Sequence, residues 1–127
     1  MTFQTSEHLY QALKTTDPSE VRAVISCQTP GESKRLGATL TLRPDWDSVK
    51  DRAMEICVAH KFAANPDLLE KLLDTGSTYL LEGNTWHDNY WGGCQCDNCT
   101  FVDWHNKLGY TLMRYRDTMS RWMKIDI

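Results

Sequence analysis

The chain has 127 residues, a length that suits one domain able to bury about two-thirds of the surface its unfolded form exposes. Its charged and apolar fractions, 24% and 41%, are those of an ordinary globular chain. A formal net charge of −3 argues against wholesale electrostatic binding of nucleic acid and leaves room for a local basic pocket that takes phosphate. No apolar run approaches the roughly 20 residues needed to span a membrane, and Met1 opens directly into polar sequence without a signal-peptide pattern, so a cytoplasmic location is expected. Five cysteines in such a chain suggest reduced thiols, a metal site or packing groups rather than a disulfide framework.

In chain order, Thr5 or Ser6 can cap a first short helix over Glu7–Lys14, with Leu9, Leu13 and Tyr10 turned inward. Glu7 falls in its first turn, where the helix dipole favours a carboxylate whether or not it has another role. Asp17-Pro18 is a cap followed by proline at the first helical position, and Val21, Val24 and Ile25 supply an apolar stripe up to about Cys27. Thr29-Pro30 repeats that start signal for a weaker helix, Glu32–Ala38, interrupted by Gly37. Thr39 to Asp45 alternates polar and apolar residues but is short and contains a proline, so it reads as an extended connection. Asp45 caps the longest helix of the first half. There Val49, Ala53, Ile56, Cys57 and His60 recur at helical spacing through Phe62, and Trp46 stands at the very start.

Asn65-Pro66 restarts the chain as a helix whose Leu68, Leu69, Leu72 and Leu73 make one apolar face and which Gly76 stops. Thr78 to Glu82, rich in β-forming residues, is the best strand candidate. It leads into Trp86-His87-Asp88-Asn89-Tyr90-Trp91-Gly92-Gly93, followed by Cys94, Cys96 and Cys99. This stretch is too polar for a core segment and too aromatic for a spacer, and reads as a site loop. The bland alternative is an aromatic-rich turn that plugs the end of a helical core. Asn106 can cap a last helix in which Leu108, Leu112, Tyr115, Met119 and Trp122 form a core stripe, with Arg114, Arg116 and Arg121 on a solvated basic face. The expected fold is mainly α, a compact multi-helical domain with one or two short strands that bring the loop onto the bundle.

If the loop and the helix starts converge, the chain assembles two carboxylates (Glu7, Asp88), indoles (Trp46, Trp91, Trp86) and cations (Lys14, Arg43, Arg116). At a nucleotide-like ligand, indoles stack on a flat base, cations take phosphate, and carboxylates activate water or stabilise positive charge. Cleavage of a ribose–nitrogen bond passes through an oxocarbenium-like sugar, which acidic groups beside it stabilise. Spacing alone does not choose this chemistry over simple binding.

Five blocks in the chain carry a resemblance. They are Thr5-Ser6-Glu7-His8-Leu9-Tyr10-Gln11-Ala12-Leu13-Lys14; Arg43-Pro44-Asp45-Trp46-Asp47-Ser48-Val49-Lys50; Lys61-Phe62 with Asn65-Pro66 and Leu72-Leu73 on to Thr75-Gly76; Asp88-Asn89-Tyr90-Trp91-Gly92; and Asn106-Lys107-Leu108-Gly109-Tyr110-Thr111-Leu112-Met113. In this order and spacing, over nearly the whole chain, they resemble the NADAR superfamily. Its characterised relatives include bacterial N-glycosidases of riboflavin-pathway intermediates and enzymes that remove ADP-ribose from modified guanine.

The resemblance implies a single domain over residues 1–127 with a mainly helical fold. It also implies cofactor-independent hydrolysis of a ribose–base bond in a phosphorylated nucleoside or an ADP-ribosyl-guanine adduct. Nucleic acid would enter only as a modified substrate, and no membrane is involved. Glu7 and Asp88 match the family's acidic positions, implied in water activation and oxocarbenium stabilisation; Trp46 and Trp91 match its base-stacking indoles; Lys14 and Arg43 would contact phosphate or ribose.

Two departures keep a rival open. Family members commonly carry a segment with a Phe-Ser-Asn-Phe-like motif before the Ser-Glu-His helix, whereas Met1 stands almost directly on that helix here. The pocket would then be more open or closed by another element, and a non-catalytic module that binds ADP-ribose or a nucleotide is the alternative reading. The second departure is Cys94-x-Cys96-x-x-Cys99, where relatives are glycine-rich. With His87 or His105 it could form a tetrahedral structural zinc site; the other readings are a redox pair, Cys96 with Cys99, and free thiols.

Overall fold

Proline and its preceding cap set the rhythm of the first half. The computed structural model describes residues 2–123; Met1, from which the sequence reading starts, lies outside the described residues. The chain divides into two units, Met1–Ala64 and Asn65–Ile127. The first holds helices α1 (Ser6–Ala12), α2 (Pro18–Ile25), α3 (Pro30–Gly37) and α4 (Trp46–Ala64). Thr5, Asp17 and Thr29 each accept a backbone N–H of the following turn through their side chains, and Pro18 and Pro30 occupy first helical positions where no N–H is missed. α1 ends at Ala12, short of the expected Lys14, because Leu13 and Lys14 leave the helix on a tightened last turn, with Lys14 N–H on the Gln11 carbonyl at 3.1 Å.

Within this unit α1 packs against α2, α3 and α4. Ala12, Val24 and Leu40 are its buried apolar centre, with Phe3, Val21 and Leu36 packed around them. His8 is fully buried beside it: Nε2 lies 3.1 Å from the Cys27 carbonyl oxygen and Nδ1 2.7 Å from Thr5 Oγ1. A carbonyl only accepts, so Nε2 donates to it. The alternating stretch after α3 forms no strand; it turns at residues 38–39 and 44–45, with only 41–43 between them free of turns, so the expected extended connection is mostly turns. The side chain of Asp45 does not cap α4 as expected; it takes the Arg43 guanidinium, while its carbonyl accepts from Ser48 and Val49. On α4 the buried positions are Trp46, Ala53, Cys57, Val58 and Phe62, whereas Ile56 and His60, expected inside, are exposed.

The second unit holds α5 (Pro66–Asp74), β1 (Gly83–Asn84), β2 (Gly93–Cys94), a single 3₁₀ turn (Asp97–Cys99) and α6 (Lys107–Met123). β1 and β2 pair in parallel, Gly83 opposite Gly93 and Asn84 opposite Cys94. The expected strand over Thr78–Glu82 does not form; those residues have no regular structure, and the strand begins at Gly83. The segment's Glu82 carbonyl takes the Gly93 N–H of β2 at 2.9 Å, and its other named backbone groups are met by side chains at the start of α6 and along it. Leu80 N–H reaches Met113 Sδ, Glu82 N–H donates to Asn106 Oδ1 at 3.0 Å, and the Thr78 carbonyl accepts from Arg116 at 2.8 Å.

That segment therefore runs along the face made by residues 106, 109, 113 and 116. A side chain at Gly109 would overlap the Leu80 carbonyl. The expected stripe sits one step round the helix and is only half-buried, and Trp122 is exposed. Arg116, expected on a solvated face, is buried and bonds Thr75 Oγ1 and the Thr78 carbonyl, each at 2.8 Å. No helix among the described residues is long and apolar enough to cross a membrane.

Burial, reinforced by the negative charge of Glu7, pushes the Cys57 thiol up from 9.0 to about 12. The folded chain thus holds that proton more tightly than the unfolded one. The resulting stability is complete below about pH 9 and is lost as pH rises towards 12. Cys57→Ala should flatten the alkaline limb of the thermal-stability curve from about pH 9 upward. The check is the melting temperature of both proteins across that range, and a limb of unchanged slope would refute the assignment.

Candidate functional site

In the first unit one face of α1 gathers the expected polar residues. Positions 7, 10 and 11 share one face of α1, and Lys14 follows in the turn just past its end. Glu7 Oε2 accepts from Gln11 Nε2 at 3.2 Å. Lys14 Nζ lies 5.6 Å from the centre of the Tyr10 ring, and that ring meets Trp46 edge-on at 5.5 Å. Burial is the main cause that lowers the Lys14 ammonium below the usual lysine range; Glu7 pulls it back up and Lys34 pushes it further down. Trp46 is 8% exposed, so little of its ring is open to a ligand.

Gln11 is the residue the sequence reading passed over, although its offset of four from Glu7 was a usable signal. Its Oε1 is buried and has no hydrogen-bond donor among the described residues. Gly37 lies against the same amide, where any Cβ would collide with it. A water or a ligand hydroxyl would satisfy that oxygen. Arg43 is differently placed: it forks onto Asp45 with Nε–Oδ1 at 2.6 Å and Nη2–Oδ2 at 3.0 Å. That carboxylate holds Arg43 above the usual arginine range, and Asp45 is lowered in turn. Its charge is already matched, and its main chain ties to α1's end through the Lys14 carbonyl at 2.7 Å.

In the second unit the site loop is held from three sides. Asn84 is buried and grips Asp88 through the main chain, with Nδ2 on the Asp88 carbonyl at 2.8 Å and Oδ1 taking the Asp88 N–H at 3.2 Å. Asp88 Oδ1 accepts the amides of Tyr90 (3.1 Å) and Trp91 (2.9 Å), which folds the carboxylate over the turn it begins. The carbonyls of Asn89, Tyr90, Trp91 and Gly92 receive the N–H groups of His105, Lys107, Leu108 and Asn106, at 2.8 to 3.1 Å. These include the orphan donors that open α6. Gly92 is required here, because a Cβ would overlap the Glu82 carbonyl. Trp91 is half-buried and meets Tyr90 edge-on at 4.9 Å, and Lys107 Nζ lies 5.8 Å from the Tyr90 ring centre. Trp86 is exposed.

The three clustered cysteines converge on His87. Its Nδ1 lies 3.7 Å from Cys94 Sγ, 3.4 Å from Cys96 Sγ and 3.3 Å from Cys99 Sγ. His105 stands outside this group, its ring tilted against Tyr90 at 6.3 Å. Burial would raise the Cys94 thiol, but hydrogen bonds with Cys96, the His87 backbone and Cys99 outweigh it and bring it down to about 6 from 9.0.

Residues 1–120 match the NADAR domain. The chain belongs to the NADAR domain family. Among curated relatives it is 38% identical over 118 residues to "N-glycosidase Npun_R5314" of Nostoc punctiforme, covering 89% of this chain and 72% of that one. It is 32% identical over 121 residues to "N-glycosidase YbiA" of Escherichia coli, covering 94% and 72%. The NMR structure of the E. coli protein YbiA superimposes with a TM-score of 0.84 at 30% identity, over 98% of this chain and 72% of that one. "Riboflavin biosynthesis protein PYRR, chloroplastic" of Zea mays matches at 34% over 104 residues, 72% of this chain and 16% of that one. The NADAR membership and these names support an N-glycosidase-type function.

Asn106 ties the NADAR loop to the segment before it. Its side chain takes the Glu82 N–H and donates to the Leu80 carbonyl at 2.8 Å and to the Tyr79 hydroxyl at 3.1 Å. It stands before α6 as expected, yet its side chain is spent on this segment and leaves the helix donors to the loop carbonyls. Asn106→Ala would strand the half-buried Glu82 N–H and Leu80 carbonyl at about 1–3 kcal/mol each. A loss of roughly 2–4 kcal/mol in urea unfolding is expected, and a change under about 0.5 kcal/mol would show that the latch is not needed.

Proposed function

We propose that the chain hydrolyses the ribose–base N-glycosidic bond of a phosphorylated nucleoside of the riboflavin-intermediate type. The observation that carries the reading is the α1 face, where the Glu7 carboxylate is hydrogen-bonded to the Gln11 amide, with the partly buried Lys14 ammonium just past the helix end and the Tyr10–Trp46 pair beside them. A carboxylate activates water or stabilises an oxocarbenium, a cation at the same place takes a phosphate, and an indole edge borders a flat base. The relative named for riboflavin biosynthesis supports this substrate class over an ADP-ribosyl-guanine adduct. We assign Glu7 and Asp88 to water activation and oxocarbenium stabilisation. Lys14 contacts phosphate or ribose, Trp46 and Trp91 border the base, and no cofactor takes part. Arg43 is the weaker phosphate contact, since Asp45 already neutralises it.

The Asp88 carboxylate is well suited to a fixed role, because Oδ1 is held by two amides and the group cannot swing. Replacement by asparagine keeps an acceptor oxygen for those amides, so Asp88→Asn should fold normally. The test is release of the base, followed by chromatography and mass spectrometry, from the ribosylamino-pyrimidine phosphate of the riboflavin pathway and from ADP-ribosylated guanosine. Turnover of the first should fall by about 10²–10⁴ in Glu7→Gln and in Asp88→Asn, with melting temperatures near wild type. Full activity in either variant would remove that residue from the chemistry. If neither compound is cleaved while ADP-ribose binds saturably, the binding module is the correct reading.

A further inference from the structure

We propose that His87, Cys94, Cys96 and Cys99 form a closed, structural zinc site that pins the loop of the second unit. The four ligand atoms lie within 4.8 Å of one another. Zinc–sulfur and zinc–nitrogen bonds of about 2.3 and 2.0–2.1 Å at tetrahedral angles put nitrogen about 3.5 Å from each sulfur and the sulfurs about 3.8 Å apart. The three distances from His87 Nδ1 to sulfur, 3.3, 3.4 and 3.7 Å, bracket that nitrogen–sulfur value, and the widest separation needs to close by about 1 Å. One ring nitrogen offers either one proton or one lone pair, so it cannot bond three thiols at once. Three sulfurs around it are arranged as ligands share an ion.

Burial in this loop argues the same way. Cys94 and Cys99 are 1% and 6% exposed, while Phe101 is 99% exposed and Trp86, Val102 and Trp104 lie between 44% and 62%. Apolar collapse would bury the large aromatic side chains before small thiols; here the thiols are inside and the aromatics outside. The groups around the ligands are already tied: Asn89 Nδ2 reaches Cys99 Sγ at 3.6 Å, and Asn89 Oδ1 takes the Cys94 N–H at 2.8 Å. These are the contacts that orient ligands in metal sites. His87 itself adopts φ 67°, an uncommon conformation for a residue with a side chain, and it directs the ring at the thiols. Three thiolates and an imidazole favour zinc over oxygen-seeking cations. Four protein ligands fill the tetrahedron and leave no position for substrate, so the ion is structural.

The test is metal content of the full chain expressed in zinc-supplemented medium, desalted, and measured by mass spectrometry of the elements. About one zinc per chain is expected. Cobalt added to the metal-stripped protein should give the intense thiolate charge-transfer and visible bands of tetrahedral coordination. Zinc should also protect Cys94, Cys96 and Cys99, three of the five thiols, from a thiol reagent. These three readouts use the unaltered chain, so they hold even if ligand variants fold poorly. Cys96→Ser and His87→Ala should weaken zinc binding by about tenfold or more, whereas His105→Ala should retain the metal. Zinc well below stoichiometry with all three thiols reactive, a disulfide among them by mass, or full binding in His87→Ala would each overturn the proposal.

Discussion

Four consecutive carbonyls, residues 89–92, meet the four consecutive N–H groups of residues 105–108, and the second unit depends on that exchange. A helix start leaves donors without intrahelical acceptors, and a tight loop leaves carbonyls without a strand partner. Each supplies what the other lacks. The result places Asp88 and Trp91 at fixed points relative to α6 without any regular sheet beyond one short parallel pair. Asn106 extends the same arrangement backwards to residues 79–82, so the approach to the loop, the loop and the last helix form one hydrogen-bonded body.

The first unit reaches its order by other means. Three capped starts, two with proline, fix where helices begin, and a small apolar centre holds α1 against its neighbours. Because the opposite side of α1 is polar, the unit can hold a carboxylate, an amide and an ammonium in a partly desolvated setting, where electrostatic interactions are stronger than in water. Gly37 makes room for the Gln11 amide, so a glycine that reads as a helix interruption in the sequence is also a packing contact.

Helix starts were legible because their signals are local: Asp17-Pro18 and Thr29-Pro30 need no distant partner to declare themselves. The helical character of the chain and its small strand content followed from the same patterns. What was not legible depended on long-range partners. Thr78–Glu82 has strand composition, but its amides face α6 side chains, and nothing in the segment itself says so. Arg116 reads as a surface cation until Thr75 and Thr78 are brought to it. Arg43 and Asp45, two apart in sequence, are the local exception: a neighbouring cation competes with the helix start for the carboxylate, and their pairing replaced the cap expected of Asp45. For the cysteine cluster, spacing named three residues and left two histidines; the fold brings His87 to the thiols and turns His105 to Tyr90.

Among the described residues, His87 and Asn106 are the non-glycine residues with positive φ, and they bracket the loop like hinges. The carbonyl–amide exchange between residues 89–92 and 105–108 holds the chain together beside them, so residues 95–104 form an excursion whose two ends are already fixed in space. Lengthening such an excursion adds little entropy, about 0.6 kcal/mol for each doubling. The segment is therefore a cassette in the geometric sense: its length and sequence, Cys96 and Cys99 included, can change while Cys94 stays in β2 and the turn that carries Asp88 keeps its form.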